Sequence, residues 1–181
     1  MNLIVGAPLW LSFLLFLVLA AAAAEDAFRY RISNLTCGAV ILLALVATAF
    51  QGFSLSLWQN VLISFAILAI GTPAFAAGWV GGGDVKLLAA VGLWLDLRAA
   101  SGLAAAVFIA GGVLALIYIA LRRVTRPNAR SPSEYAKVPY GLAIVFGAIF
   151  IFGTQLSTPT ANSFVEHMKA IEAAKQQTGT R

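Results

Sequence analysis

Residues 3–24 read LIVGAPLWLSFLLFLVLAAAAA and carry no charged side chain. A helix needs about 20 predominantly apolar residues to cross the hydrocarbon core of a bilayer, and this stretch meets that length. Its final alanines resemble a signal-peptide cleavage site, but a signal peptide has basic residues before its apolar run. Here Arg29 and Arg31 follow the run instead. The stretch therefore predicts a retained first membrane helix whose N-terminus lies outside the cytoplasm.

The rest of the chain repeats this apolar character. Further apolar runs occupy residues 36–50, 57–77, 85–97, 102–121 and 139–152. Hydrophobic residues make up 61% of the 181 residues and charged residues 10%, whereas a soluble domain has about 25% charged residues. The sequence predicts an all-α fold, a polytopic membrane bundle of about six transmembrane helices. We place this bundle in one domain at 1–157, followed by a polar C-terminal tail at 158–181.

The fourth run, 85–97, is the shortest. About 13 residues at about 1.5 Å per residue span only about 20 Å, so the run could instead be re-entrant. Basic residues concentrate in cytoplasmic loops. Six spans keep Arg29, Arg31, Lys86 and the basic stretch 122–137 on the cytoplasmic side, whereas a re-entrant fourth run would move that stretch outside. We therefore prefer the six-span interpretation.

Composition argues against several classes of site. The net charge of +5 lies in loops between apolar runs and is not interleaved with aromatic residues, so we expect no nucleic-acid partner. Cys37 is the one cysteine, which excludes a disulfide within the chain and a CxxC site. We expect it to pack as a small apolar residue near a helix start. His167, the one histidine, lies in the tail, and we expect neither a metal nor a cofactor.

Two acidic residues stand beside apolar runs, where carboxylates are costly and usually functional. Asp26 ends the first run, and Asp84 opens the fourth directly after glycines 81–83. Two crossings separate them, so both should lie at the cytoplasmic end of the bundle. Two carboxylates close together share one proton, which supplies the acid and the base that aspartic proteolysis requires. The glycines would let an extended substrate backbone approach, while Asp96 beside Arg98 is expected to be a solvated charge at a helix end.

The same residues allow structural interpretations. Asp26 could be an interface charge paired with Arg29 or Arg31, and Asp84 could be the N-cap of a helix, a position that favours aspartate. Glu25 is a rival to Asp26, because neighbouring residues point to different faces of a helix. The chain as a whole could also be a non-enzymatic subunit of a pilus or secretion assembly, or a small transporter. A transporter would carry polar residues at the membrane midplane, whereas here they gather at one end.

Three segments resemble the type IV prepilin peptidase family. Residues 26–34, DAFRYRISN, are similar to its first motif, an Asp followed by basic residues and then Ile-Pro-Asn. Residues 81–86, GGGDVK, are similar to its GxGDxK motif. Residues 138–144, VPYGLAI, are similar to the segment that opens its last helix. The resemblance covers nearly the whole chain in order and spacing.

By that resemblance, Asp26 and Asp84 correspond to the catalytic aspartates of the family. Asp26, and not Glu25, has the family spacing to Ile32 and Asn34. The residues expected to bind substrate or support the site are Gly81, Gly83, Lys86 and Asn34.

The chain departs from the family pattern at Ser33, where proline is customary, and at Phe28, where a basic residue is common. Both positions flank the expected site, so the departures bear on substrate details.

The resemblance also implies a biological setting. The chain looks like the short branch that lacks the family's methyltransferase region and accompanies tight-adherence (Flp-type) pili. The implied substrate is a prepilin with a short basic leader and an apolar helix, cut after a glycine at the cytoplasmic face of the bacterial inner membrane. The expected partners are therefore prepilins and the lipid bilayer, and the sequence leaves the oligomeric state open.

Overall fold

A computed structural model of the chain describes residues 2–125 and 140–156. Every regular element in these two segments is a helix: α1 (Leu3–Gly6), α2 (Leu9–Arg29), α3 (Asn34–Gln51), α4 (Leu57–Ala76), α5 (Gly82–Gly92), α6 (Leu97–Thr125) and α7 (Tyr140–Leu156). The predicted all-α membrane bundle is confirmed. The predicted tail, the third segment's first two residues and most of the basic stretch lie outside the described residues.

Four of the described helices are long and apolar enough to cross a membrane, by length and composition. They are α2, α3, α4 and the part of α6 from Leu97 to Ile117. Helix α7 is apolar but shorter, and α5 is shorter still. Many large apolar side chains on these helices are exposed, as Phe13 and Phe65 are. Such broad apolar exposure is unusual for a soluble monomer and fits a surface that faces lipid.

Hydrogen bonds identify the two ends of the bundle. At one end, called here the Trp94 end, the Leu3 N–H donates to the Trp94 carbonyl at 3.0 Å, and Gln51 Nε2 donates to the Leu3 carbonyl at 2.7 Å. At the opposite end, called here the Asp26 end, Lys86 Nζ donates to Asn34 Oδ1 at 2.9 Å. Helices α2 to α5 therefore alternate in direction between the two ends.

Helix α5 covers Gly82–Gly92, which differs from the predicted run at 85–97. It starts earlier because Gly82 and Gly83, which precede the predicted run, join its first turn. The helix ends early, and Asn60 Nδ2 donates to the exposed carbonyl of Leu93 at 2.8 Å. About 11 residues of helix reach only about 16 Å. Gly71 faces Val85 and Gly92 faces Ile63, so α5 is antiparallel to α4 and runs away from the Asp26 end, the direction that the six-span interpretation gives it.

The first apolar run is divided near its start. Pro8 precedes α2 with φ −56° and ψ 144°, and Ala7 is extended as well. Proline disfavours the helical conformation at the residue before it and lacks the N–H that would continue a preceding helix. One predicted helix at 3–24 thus becomes the four-residue α1 and the longer α2, which continues to Arg29.

Helix α2 buries one face, and that face ends in a carboxylate. Its buried members recur every three or four residues, the spacing of one helix face: Leu11, Ser12, Leu15, Leu19, Ala22 and Asp26. Asp26 is only 5% exposed. Cys37 is buried in the first turn of α3, which confirms its prediction as a packed thiol. Asp96 is half-buried and its Oδ1 accepts the Ala99 N–H at 2.8 Å, so it caps α6 and is not simply a solvated charge.

Candidate active site

A polar cavity of about 830 Å³ opens at the Asp26 end of the bundle. The described residues that line it come from the end of α2, the α2–α3 loop, the end of α4 and the start of α5: Glu25, Asp26, Arg29, Tyr30, Arg31, Ile32, Ser33, Asn34, Phe75, Gly81, Gly82, Gly83, Asp84 and Lys86. All six residues that the sequence singled out for the site lie in this one cavity. Residues 58 positions apart are thus brought together by two antiparallel helices.

Asp26 is held in the last turn of α2 by the start of α7. The Leu142 N–H donates to Asp26 Oδ2 at 3.3 Å. A Cβ added at Gly141 would lie 2.8 Å from both Cγ and Oδ2 of Asp26, so α7 approaches this closely because residue 141 is a glycine. A side chain this buried does not fit the interpretation of Asp26 as an exposed interface charge.

Asp84 lies in the first turn of α5, and the N-cap of that helix is Gly81. The interpretation of Asp84 as the N-cap is therefore wrong. Its carboxylate turns back and accepts a hydrogen bond from the Gly81 backbone N–H. This is the geometry of an acidic residue at the third helical position that reaches the N-cap. A Cβ at Gly81 would lie 2.6 Å from Asp84 Oδ2, so this glycine makes room for the carboxylate itself.

The two carboxylates influence each other. Asp84 lies in the first turn of α5, outside the four described helices that are long enough to cross a membrane, and its pKa is raised from about 3.8 to about 6. Burial of the carboxyl group is the main cause, the negative charge of Asp26 is the second, and the Gly81 hydrogen bond acts in the opposite direction. Like charges disfavour the ionised form of a neighbouring carboxyl group. At about pH 6 and below, the site therefore favours a singly protonated pair.

The two motifs are in direct contact beside the carboxylates. A Cβ at Gly83 would lie 3.1 Å from Ile32 Cβ and 3.3 Å from the backbone N and O of that residue. The absence of a side chain at Gly83 therefore permits α5 to pack on the α2–α3 loop. The hydrogen bond from Lys86 to Asn34 ties the same two segments together one turn further on. Gly83, Lys86 and Asn34 thus lie where α5 meets the α2–α3 loop, beside the carboxylates.

Glu25 has a separate function at the start of α3. Its Oε2 accepts the Ser33 N–H at 2.9 Å and the Thr36 hydroxyl at 2.8 Å. Ser33 is also the N-cap of α3, and its Oγ accepts the Thr36 N–H at 3.1 Å. A proline at position 33 would have no N–H to offer Glu25. The departure from the family pattern at Ser33 is therefore linked to a carboxylate that anchors the loop.

Sequence reasoning did not assign this anchoring role, nor the role of Gly141. Ser33 followed by Thr36 resembles a helix start, which was the available signal for the first. Gly141 belongs to the third family-like segment, but its contact with Asp26 requires the fold. Tyr30, which closes α2 in the left-handed region with φ 52°, carried no sequence signal. Among the described residues, no group of three or more His, Cys, Asp or Glu side chains is placed to hold a metal ion.

The profile of the type IV leader peptidase family matches residues 13–120. The chain belongs to this family. The matched segment contains both Asp26 and Asp84 and ends before the third family-like segment. No curated protein and no solved structure matches the chain. Family membership identifies a membrane-embedded peptidase with prepilin-type substrates. The aspartic mechanism, the Flp-type substrate and the lack of methyl transfer stay predictions.

Proposed function

We propose that this family member is an intramembrane aspartic endopeptidase. It removes the short leader peptide from Flp-type prepilins at the cytoplasmic face of the bacterial inner membrane. The observation that carries this proposal is the placement of Asp26 and Asp84 in one cavity at one end of the bundle, with their charges coupled. Two carboxyl groups that share a proton provide both the base and the acid for peptide hydrolysis.

We assign the shared proton to Asp84. The pKa of Asp84 is raised to about 6, so its carboxyl group holds a proton more tightly than an ordinary aspartate does. Asp26 is then the general base at the start of the reaction and Asp84 the general acid.

The hydrolysis follows from this assignment. Asp26 takes a proton from water as the water oxygen attacks the scissile carbonyl carbon. Asp84 gives its proton to the carbonyl oxygen, which forms a tetrahedral diol. The proton held by Asp26 then passes to the leaving nitrogen as the C–N bond breaks, and a hydroxyl of the diol returns a proton to Asp84. One water is consumed, and an acid and an amine are released.

Several features support the proposed membrane face. Arg29, Arg31 and Lys86 line the same cavity as the carboxylates. Basic residues at the membrane edge favour the cytoplasmic side. A cavity at a bundle end also meets a substrate whose scissile bond lies where its leader leaves the membrane.

The test is co-expression of the chain with candidate prepilins from the same genome, scored by leader removal. The wild type should cut at least one of them. Asp26→Asn and Asp84→Asn should each abolish the cleavage, because asparagine has nearly the same shape but cannot relay the proton. Loss of a general acid or base costs about 10²–10⁴ in rate, and a pair that acts as a unit can lose more.

Insertion and folding of both variants are checked by membrane fractionation and by thermal melting in detergent. Normal cleavage by both variants would contradict the aspartic mechanism. The alternative of a non-enzymatic assembly subunit would then account for the chain better.

A further inference from the structure

A second cavity of about 620 Å³ lies along the side of the bundle. We call it the α4–α6 groove. It is lined by α4, the α4–α5 loop, α5, α6 and the start of α7: Ile67, Ile70, Gly71, Ala74, Val80, Asp84, Val85, Leu88, Ala104, Val107, Phe108, Gly111, Gly112, Ala115, Tyr140 and Ile144. Asp84 is the one charged side chain among these lining residues. The groove is therefore an apolar surface with a carboxylate at its edge.

The groove is continuous with the candidate active site through Asp84, which lines both cavities. On α5, Val85 and Leu88 follow Asp84 on the groove wall and lead away from the Asp26 end. A chain that leaves Asp84 along this wall therefore moves directly into the membrane-spanning part of the bundle.

The length of the groove suits a helix. From Ala104 to Ala115, α6 rises by about 16 Å, or about three helical turns. The wall formed by α6 contains small residues, and a Cβ added at Gly112 would meet no atom within 4 Å. Small residues allow a second helix to approach closely within a membrane. Phe108 is 82% exposed and Ile70 75% exposed, so large apolar side chains also remain available for contact.

The directions of the helices place the groove correctly for a substrate. Gly102 faces Ile151, while Gly111 faces Tyr140, so α6 and α7 are antiparallel. The groove thus begins at the level of Tyr140, beside the Asp26 end, and continues towards the middle of both helices. A substrate cut at Asp84 would extend its following residues in this direction.

We propose that the α4–α6 groove binds the apolar helix that follows the scissile bond of the prepilin. This inference rests on the proposed function and names the surface that recognises the substrate. The groove is continuous with the candidate active site at Asp84, and this continuity identifies the occupant. A substrate bond that reaches Asp84 must leave the site on one side as a polar leader and on the other as an apolar helix. The polar cavity suits the leader, and the groove is the apolar surface that reaches the same carboxylate.

The first experiment maps the contact by photo-cross-linking in membranes. Phe108→p-benzoylphenylalanine is made in the Asp26→Asn background, so that uncut prepilin stays bound. The matched control is Phe146→p-benzoylphenylalanine. Phe146 is 60% exposed on α7, and Val107 contacts Gly147, so positions 108 and 146 lie at similar depth. Position 108 should cross-link to the apolar helix of a co-expressed prepilin, and position 146 should not.

The second experiment fills the groove and leaves the carboxylates in place. Gly112→Leu should lower kcat/KM about tenfold on full-length prepilin. It should leave almost unchanged the cleavage of a truncated prepilin that ends shortly after the scissile bond. Gly38→Leu is the matched control, since a Cβ at Gly38 on α3 also meets no atom within 4 Å and lies outside the groove. This control should cut both substrates like the wild type.

The outcomes of these experiments distinguish failure of the groove proposal from failure of the proposed peptidase function. Normal cleavage by the wild type, with cross-links from position 108 only to lipid or to a second copy of the chain, would overturn the groove and leave the proposed function intact. An equal effect of Gly112→Leu on both substrates would also overturn it, because the substitution would then act on the catalytic site. Failure of the wild type to cut any prepilin would overturn both proposals.

Discussion

The polar cavity and the α4–α6 groove share Asp84 but are built in different ways. Loops and helix ends form the polar cavity, where backbone N–H groups such as those of Gly81 and Leu142 are free to bind carboxylates. The sides of α4 and α6 form the groove, where backbone groups are used within the helices. The comparison shows why acid–base chemistry gathers at the bundle end, while recognition of an apolar segment uses the helix sides.

The two regions also differ in how tightly their residues are fixed. Around the carboxylates, Glu25 anchors the start of α3 and Lys86 binds Asn34. In the groove, Gly112 has open space beside it and Phe108 is exposed. A fixed site is needed for precise proton transfer, whereas an adaptable apolar surface can accept helices of different sequence.

After replacement of the aspartates, the largest loss of cleavage rate is expected for Gly141→Ala, which alters the polar cavity and not the groove. The added Cβ would lie 2.8 Å from the Asp26 carboxylate, so α7 or the carboxylate must shift. A displacement of about 1 Å in a catalytic site can cost about 10²-fold in rate, and we expect a loss of that order. Unlike Gly112→Leu, this variant should impair full-length and truncated prepilins equally. Cleavage kinetics on both substrates provide the measurement.

Gly38→Ala is the matched control, because position 38 offers open space. If Gly141→Ala cuts both substrates at the wild-type rate, the approach of α7 to Asp26 has no catalytic importance.

A smaller effect is expected for the stability of Asp84→Asn, which alters the residue that the two regions share. The pKa of Asp84 is raised to about 6, so the folded state holds this proton more tightly than the unfolded state. The stability of the wild type therefore falls as pH rises from about 4 to about 6. Asparagine does not ionise, so the variant should melt at a higher temperature than the wild type at pH 7.5.

Asp84 is partly exposed, so we expect the gain at pH 7.5 to be only about 1 kcal/mol, or about 2–4 °C in melting temperature. At pH 4 the carboxyl group is largely protonated and the difference should nearly vanish. Thermal melting in detergent at the two pH values tests this. A difference that does not change with pH would contradict the raised pKa of Asp84.

The sequence predicted the main features of the bundle and of the aspartate pair but not the details of their packing. Apolar length predicted the helical bundle, and two crossings between Asp26 and Asp84 predicted that they share one end. Both predictions need only the lengths of the apolar runs and the number of runs between the two aspartates. The division of the first run at Pro8 and the early end of α5 at Gly92 depend on how the segments pack. The apolar runs contain the groove residues, but the period alone does not show which face of α6 lacks a neighbour among the described residues.

The glycines illustrate the same limit. Their position before Asp84 predicted space beside the carboxylate, which is correct. The expected occupant of that space was a substrate backbone, whereas Gly81 accommodates the carboxylate of Asp84 and Gly83 accommodates Ile32. Contacts between residues distant in sequence decide such roles.

The smallest effect is expected for Glu25→Gln, which tests whether every carboxylate of the polar cavity takes part in the chemistry. Oε2 of Glu25 accepts both the Ser33 N–H and the Thr36 hydroxyl, and a glutamine amide oxygen in its place can still accept both hydrogen bonds. A hydrogen bond to a neutral acceptor is roughly half as strong as one to a charged acceptor. We therefore expect cleavage within about twofold of the wild type, measured with full-length prepilin.

Ser33→Pro is the informative partner for this variant, because it removes the N–H that Glu25 binds and introduces the residue customary in the family. If Glu25 acts only as an anchor, the effect of Glu25→Gln should shrink further in the Ser33→Pro background, since two changes at one contact are not additive. An unchanged, large loss in both backgrounds would show that the Glu25 carboxylate has a catalytic role. Should Glu25→Gln be inactive while Asp26→Asn still cuts, the base in the proposed mechanism would be Glu25, and the polar cavity would need a different pair.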